Sequence, residues 1–320
     1  MINNQPVVSV VVNCARQGKY LRFLVNDLLR QEYPAEQIQI ILVGSDIVEL
    51  EHTEIQDIVT ENANIEYVRC KSQVIPVCYN QGIQQAEGEI IILLDNQTRV
   101  KNDLVAHIVA KFQETGLDFL YGSRIYSAVS DSTLQLAMKE CLTSKIGYSG
   151  SFLPKQNSED YEISSPFGCY KRNCFEEVGY FSEILEECYS EDFFEKLKHR
   201  FSFQFCPDIW IIRYVPDELK ELSAFVLKKC YYRPYLVRNN RALAKFSHTL
   251  PFVFLVSLLI LWFAGLFNTN YLLVFFGLIA FYAIVLLIFS AGTYRKYKRI
   301  MMMGVMPYVF FVVHGAAGWG

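Results

Sequence analysis

The sequence predicts an α/β fold built on a mostly parallel sheet, followed by an α-helical membrane part. Two observations predict the first half. Short apolar runs at Val7–Val12, Ile38–Val43, Ile65–Val68 and Ile90–Leu94 read as strands, and stretches of helical periodicity separate them. A β-α-β-α order of this kind asks for parallel strands joined by right-handed crossovers. The third observation is a change of composition past Thr249, where two stretches of bilayer length carry no charge.

Val7–Val12 is apolar apart from Ser9, as a strand covered on both faces requires. Lys19–Gln31 places Leu21, Leu24, Val25, Leu28 and Leu29 at helical spacing, and Tyr33-Pro34 ends that helix. Ile38–Val43 is the second strand, closed by Gly44-Ser45-Asp46. Ile55–Val59 reads as a short helix and Ile65–Val68 as the third strand. Val77–Ala86 is a helix leading, past Gly88, into Ile90–Leu94, a run of five apolar residues that stops at Asp95. Asp103–Thr115 is helical again, and Phe119–Ser123 is a further strand. Ser127–Ser165 is polar, with a helix at Ser132–Leu142 and then a loop that reads either as a lid over a ligand or as a surface insertion. Ser165–Phe181 gives a strand, a turn and a short helix ending at Gly179. Ser190–Arg200 is a helix with Glu191 and Asp192 in its first turn. Phe203–Cys206 and Trp210–Tyr214 are two short strands.

The net charge of −3 over 320 residues leaves no basic footprint for nucleic acid. Nine cysteines stand singly with no CxxC, the pattern of reduced thiols packed in a core. Met1–Pro6 is polar and Val7–Val12 is too short for a signal peptide, so the amino-terminal part is expected on the cytoplasmic side. Asp217–Phe246 is amphipathic and basic, suited to an anionic membrane surface or to holding phosphates. Thr249–Phe267 and Tyr271–Ala291 read as spans; Met301–His314 is a shorter third candidate. The basic link "TYRKYKRI" belongs in the cytoplasm by the positive-inside rule. The expected division is 1–215, a catalytic domain; 216–247, a juxtamembrane segment; and 248–320, a membrane domain.

Asp95, at the carboxyl end of a central strand, stands where open α/β sheets bind ligands. Followed by Asn96, Gln97 and Thr98, it suits a divalent metal and a diphosphate, or else it caps the next helix.

Taken together, "QEYP", "YNQGIQQAEGEIIILLDNQ", "GCYKRNCFEEVGYF" and the Glu191-Asp192 pair resemble the family 2 glycosyltransferases of GT-A fold, from Val7 to about Tyr214. The carboxyl-terminal part, with its basic stretch, its spans and "HGAAGWG", resembles the membrane-anchored, succinoglycan-type branch. The resemblance implies inverting transfer from a nucleotide-sugar, most simply a UDP-sugar, with a Mg or Mn cation. The acceptor it implies is a polyprenyl-diphosphate-linked glycan at the cytoplasmic membrane face, in surface polysaccharide synthesis with possible assembly partners. Residue by residue, Asp95 matches the first acid of the family's DxD motif and Gln97 the second. Asp192 matches the general base, with Glu191 orienting it. Asp46 is a displaced candidate for the nucleobase contact, Arg233 or Arg238 for the leaving diphosphate, and Gly168 and Cys169 for the acceptor wall.

The departures fall on the donor side: Gln97 for an acid, Gly44-Ser45 where an Asp is usual, and Asn13-Cys14-Ala15-Arg16 where a Pro and tight turn are usual. They support an alternative, a non-catalytic relative acting as a scaffold or regulatory subunit of a polysaccharide-assembly complex.

Overall fold

A computed structural model describes residues 5–14, 19–45, 52–144, 146–147, 167–239 and 246–320. The chain divides into two compact units, Met1–Ile125 with Ile163–Arg213, and Tyr126–Glu162 with Tyr214–Gly320. This differs from the expected division, in which everything up to 215 formed one domain. Asp46, Arg16 and residues 148–165 of the expected lid loop lie outside the described residues.

Among the described residues the first unit is built on an eight-stranded sheet in the order β3-β2-β1-β4-β7-β6-β8-β5. Its strands are β1 (Val8–Cys14), β2 (Ile38–Ser45), β3 (Ile65–Cys70), β4 (Ile90–Asp95), β5 (Thr98–Arg99), β6 (Phe119–Ser127), β7 (Gly168–Lys171) and β8 (Phe203–Tyr214). The helices of this unit are α1 (Leu21–Leu29), α2 (His52–Glu61), α3 (Ile75–Gln85), α4 (Leu104–Thr115), α6 (Asn173–Val178) and α7 (Tyr189–Leu197), with α5 (Thr133–Thr143) belonging to the second unit.

The continuous apolar strands follow from coverage on both faces. Val8, Val10 and Val12 share a core with Leu21, Leu24 and Leu28 of α1 and with Leu104, Ile108 and Phe112 of α4. On the opposite face α3 comes so close that a Cβ at Gly82 would meet the side chains of Val11 and Val43. Ser9 is fully buried but satisfied, donating to Gln39 Oε1 at 2.6 Å and accepting from the Gly88 N–H at 2.8 Å.

Two expectations change. The sheet is parallel only in its β3-β2-β1-β4 half, because β7 runs antiparallel to both β4 and β6 and β5 antiparallel to β8. The two strands expected around Pro207 are one, β8. Pro207 and Asp208 are both exposed, and the buried positions change phase between Cys206 and Ile209. The strand passes through the proline by a local irregularity of the kind an extra residue produces.

The second unit packs α5 with α8 (Leu219–Asn239), α9 (Phe246–Gly265), α10 (Thr269–Tyr297) and α11 (Met302–Trp319). Ser132 caps α5 by accepting from the Gln135 N–H at 3.2 Å. The apolar face of α5 (Leu136, Met138, Cys141, Leu142) is buried with Leu222 and Val226 of α8 and Met306, Val309, Phe310 and Val313 of α11. That burial is why this helix groups with the carboxyl-terminal helices. Lys296 and Tyr297 both donate to Glu140 Oε1, at 2.7 and 2.6 Å, and Arg299 pairs with Asp131. Among the described residues two helices, α10 and α11, are long and apolar enough to cross a membrane, while the described part of α9, Thr249–Gly265, is shorter. The third expected span ended at His314, yet α11 continues to Trp319 through the glycine- and alanine-rich end.

Candidate active site

The site begins where β4 ends. Asn13 of β1 lies level with Asp95 of β4 and with Val43 of β2, and Ser45 with Cys70 of β3, so four strands release their chains along one edge. Past that edge the Asn96 N–H donates to Asn13 O at 3.2 Å, and Asn13 Nδ2 to Ile75 O at 3.1 Å. These bonds hold the turn after β4 against β1 and against the start of α3.

Two cations stand at Asp95. Ile92 pairs with Cys169 of β7, and Cys169 with Leu120 of β6. Two antiparallel steps return β6 to the direction of β4. Beyond these pairs β4 runs on to Asp95, and β6 runs on past its last pair with β7, at Tyr121, to Arg124. Separately, Thr98 of β5 pairs with Arg213 of β8. The outcome is Arg213 Nε at 3.4 Å and Arg124 Nη2 at 3.9 Å from Asp95 Oδ2. The other oxygen, Oδ1, accepts from the Gln97 N–H at 3.1 Å and the Thr98 hydroxyl at 3.2 Å. Burial by itself would push the Asp95 carboxyl up, but Arg213, Arg124 and the two hydrogen bonds outweigh it and hold the group below the usual carboxylate range.

A second acidic pair stands on α7. The chain enters this helix through an aromatic hinge. Tyr79 of α3 donates to Leu94 O at 2.8 Å, and its ring lies 6.1 Å from that of Tyr189, the first residue of α7. Asn80, buried beside it, reads the Phe181 backbone in both directions, donating to its carbonyl and accepting from its N–H at 3.0 Å each. The first turn of α7 is thereby tied to the carboxyl end of β4. Burial pushes the Tyr189 hydroxyl well up, and among the charges it feels are Asp95 and Arg213. The Tyr121 hydroxyl of β6 is raised chiefly by burial, with Glu191 adding to the effect.

The N-cap of α7 is Cys188, which makes no side-chain capping bond. Asp192 Oδ2 pairs with Lys196 Nζ at 2.6 Å, one turn on, and Glu191 Oε2 accepts from the Ser190 hydroxyl at 2.9 Å. The capping reading of Asp95 as an N-cap also differs from what is seen, since the N-cap of α4 is Asp103.

The remaining candidates fall elsewhere. Gln97 is half-buried beside Asp95, to which its backbone N–H donates. The Cys169 side chain is fully buried within the hydrophobic core with Ile92, Leu120 and Cys206. The room left by the missing side chain of Gly168 is taken by the ring and hydroxyl of Tyr170, two residues on in the same strand. Arg233 and Arg238 sit on α8 of the second unit, Arg233 near Cys230.

The divalent cation implied by the resemblance needs several hard oxygen ligands. Asp95 offers one carboxylate, with one oxygen engaged by two donors and the other facing two guanidiniums. Gln97 is an amide. Among the described residues no three His, Cys, Asp or Glu side chains cluster as a metal site. As arranged, these residues do not fit the ion.

Arg124, Arg213, Tyr79 and Asn80 are the site residues that sequence reading missed. Arg213 carried one weak signal, a lone charge inside the apolar run "DIWIIRYV".

No curated protein sequence matches the chain. Among solved structures, the mannosyltransferase PcManGT from Pyrobaculum calidifontis, in complex with GDP-Man and Mn2+, is similar with a TM-score of 0.59 at 13% identity, over 97% of this chain and 86% of that one. S. aureus TarS in complex with UDP-GlcNAc is similar with a TM-score of 0.52 at 16% identity, over 71% of this chain and 66% of that one. A second TarS structure has a TM-score of 0.51 at 18% identity, over 71% and 65%. The chain thus spans just under two thirds of the length of the TarS chains, and at these identities the likeness is one of fold, of GT-A type. The sequence profile of Glycosyl transferase family 2 matches residues 8–179, more than half of the chain. With the sheet, the Asp95 edge and the α7 acids inside or just beyond that stretch, the chain belongs to glycosyl transferase family 2.

Proposed function

We propose that this protein transfers a sugar, with inversion, from a nucleotide-sugar to the hydroxyl of a lipid-linked glycan at the cytoplasmic face of a membrane. The observation that carries the reading is Asp95 at the strand edge with α7 tied beside it through Tyr79 and Tyr189. Asp95 takes the nucleotide side. Asp192 accepts the proton of the acceptor hydroxyl as its oxygen attacks the anomeric carbon. The bond to the diphosphate breaks on the opposite face, and its electron pair leaves with the nucleoside diphosphate. Glu191, braced by Ser190, orients the acceptor, and Lys196 pins the Asp192 carboxylate.

The donor is a UDP-sugar, the acceptor a polyprenyl-diphosphate-linked glycan, and the product a surface polysaccharide of the succinoglycan type. Support for the membrane face comes from the two helices of spanning length and composition and from the basic link between them. The helices α9, α10 and α11 serve as a multi-pass anchor of the cytoplasmic membrane. TarS with UDP-GlcNAc and PcManGT with GDP-Man make nucleotide-sugars the first donors to try.

The test is transfer from a panel of UDP- and GDP-sugars to extracted lipid acceptors. Asp192→Asn is expected to lower the rate by about 10²- to 10⁴-fold, the usual worth of a positioned base, with nucleotide binding retained. Unchanged transfer by that variant would remove Asp192 from the role. Gln97, an amide where an acid is usual, favours one second reading, a non-catalytic scaffold or regulatory subunit. That reading requires that no nucleotide-sugar or nucleoside diphosphate binds.

A further inference from the structure

Asn80 follows Tyr79 on α3, a helix fixed to the sheet by the Tyr79 bond to Leu94 O and by the close approach of Gly82 to Val11 and Val43. Phe181 lies between α6 and α7, outside any helix or strand, so its buried peptide groups need partners from elsewhere. Asn80 supplies both, its Nδ2 donating to Phe181 O and its Oδ1 accepting from the Phe181 N–H, at 3.0 Å each. A third bond runs from Nδ2 to Glu183 Oε1 at 3.2 Å. Held by its backbone, Phe181 sets its ring at a steep angle to two rings of α7, Tyr189 at 5.1 Å and Phe193 at 4.8 Å between centroids. Tyr189 and Phe193 stand one turn apart, and Ser190, Glu191 and Asp192 fill the interval. One ring thus grips both ends of the turn that carries the acids. Successive residues of a helix are turned about 100° from one another, so a rotation of α7 would swing the Asp192 carboxylate sideways and leave Asp95 where it is.

We propose that Asn80 is a positioning residue for transfer: through Phe181 it sets the rotation of α7, and so where the Asp192 carboxylate stands relative to the carboxyl end of β4. The inference rests on the reading of Asp192 as the base and deepens it. Asn80 acts on the reaction only through the Phe181 backbone and ring. Asp95 has separate supports in the Gln97 N–H, the Thr98 hydroxyl, Arg213 and Arg124. Loss of the Asn80 amide is therefore felt on one side of the reaction. The base drifts from the hydroxyl it must deprotonate, and the nucleotide end keeps its place. Misplacement of a reacting group by about 1 Å costs up to about 10²-fold in rate.

The experiment compares the full-length, detergent-solubilised wild type with Asn80→Ala and Phe181→Leu. Three quantities are read: kcat for transfer to extracted lipid acceptors from the UDP- or GDP-sugar that the wild type uses, the calorimetric Kd for UDP and GDP, and backbone hydrogen exchange. Each variant is expected to lose about 10- to 100-fold in kcat while its nucleotide Kd stays within about threefold of the wild type. Exchange is expected to quicken in the first turn of α7 and to stay unchanged in β4. In the double variant the losses are expected to fall short of the product of the two, because both act through one ring. A thermal melt reports whether each protein is folded. Phe181→Leu keeps the two backbone bonds and nearly the same bulk, so it carries the test if Asn80→Ala does not fold. Folded variants that transfer like the wild type, that lose nucleotide affinity in step with rate, or whose α7 exchange is unchanged would overturn the inference and leave the nucleotide-sugar reading standing. A wild type that transfers from none of the donors would overturn that reading, and the inference with it.

Discussion

Asp95 shows how one side chain can be specified by neighbours far away in sequence. Its own stretch supplies only the Gln97 N–H and the Thr98 hydroxyl; the charges opposite come from positions 124 and 213. Removing the charge takes away the anion that Arg213 and Arg124 share. Asp95→Asn is therefore expected to destabilise the fold by about 3 kcal/mol, in the range for breaking a buried ion pair from one side, and a thermal or chaotrope melt reads this directly. The same group sets a pH dependence. Its folded carboxyl titrates below the ordinary value of 3.8, so its contribution is fully present above that value and is lost as the pH falls through the folded one. Asp118 adds to this limb. Burial opposes its ionisation, but bonds from Ser202 and the charge of Lys171 outweigh burial and hold it low. Stability is expected to fall on acidification below about pH 4, and less steeply in Asp95→Asn than in the wild type. Equal slopes in the two proteins would mean that Asp95 is not among the groups responsible.

At the scale of elements, the junction between α3 and β4 is closed by backbone. A Cβ at Gly88 would strike the backbone N of Ser9 and stand 2.8 Å from Val7 O. The Gly88 carbonyl accepts from Arg172 Nε and Nη2, at 3.1 and 2.8 Å, which ties β7 and α6 to the same point. Because the obstacle is backbone, it moves only with the strand. Gly88→Ala is expected to cost about 1–3 kcal/mol, measured as a lower unfolding midpoint; a midpoint equal to wild type would show that the junction yields. The elements themselves were largely legible: each apolar run became a strand and each periodic stretch a helix. What periodicity did not carry was strand direction. One antiparallel strand, β7, separates β4 from β6, and a buried antiparallel strand as short as Gly168–Lys171 has the same apolar look as a parallel one.

For the whole molecule, the chain pairs an α/β unit of transferase type with a helical unit that recruits α5 from the middle of the sequence. Three devices fasten α5 there: its apolar face, the Glu140 contacts with Lys296 and Tyr297, and the Arg299–Asp131 pair. If α10 and α11 span a bilayer as proposed, the protein stays in the membrane pellet through high salt and alkaline carbonate and is released by detergent. Release by salt alone would mean that it is held at the surface by charge, through the basic faces of α8 and of the link before α11.

The sequence by itself determined the α/β pattern, the family, the place of Asp95 at a strand end, the acids of α7 and the apolar character of the last helices. All of these rest on local spacing and composition, which a linear reading sees. Only the tertiary structure decided that half the sheet is antiparallel, that Cys169 belongs to the core, that Tyr170 fills the space beside Gly168, and that Arg124 and Arg213 meet Asp95. Those outcomes depend on the register between strands distant along the chain. A shift of one residue there would turn each of these side chains to the other face.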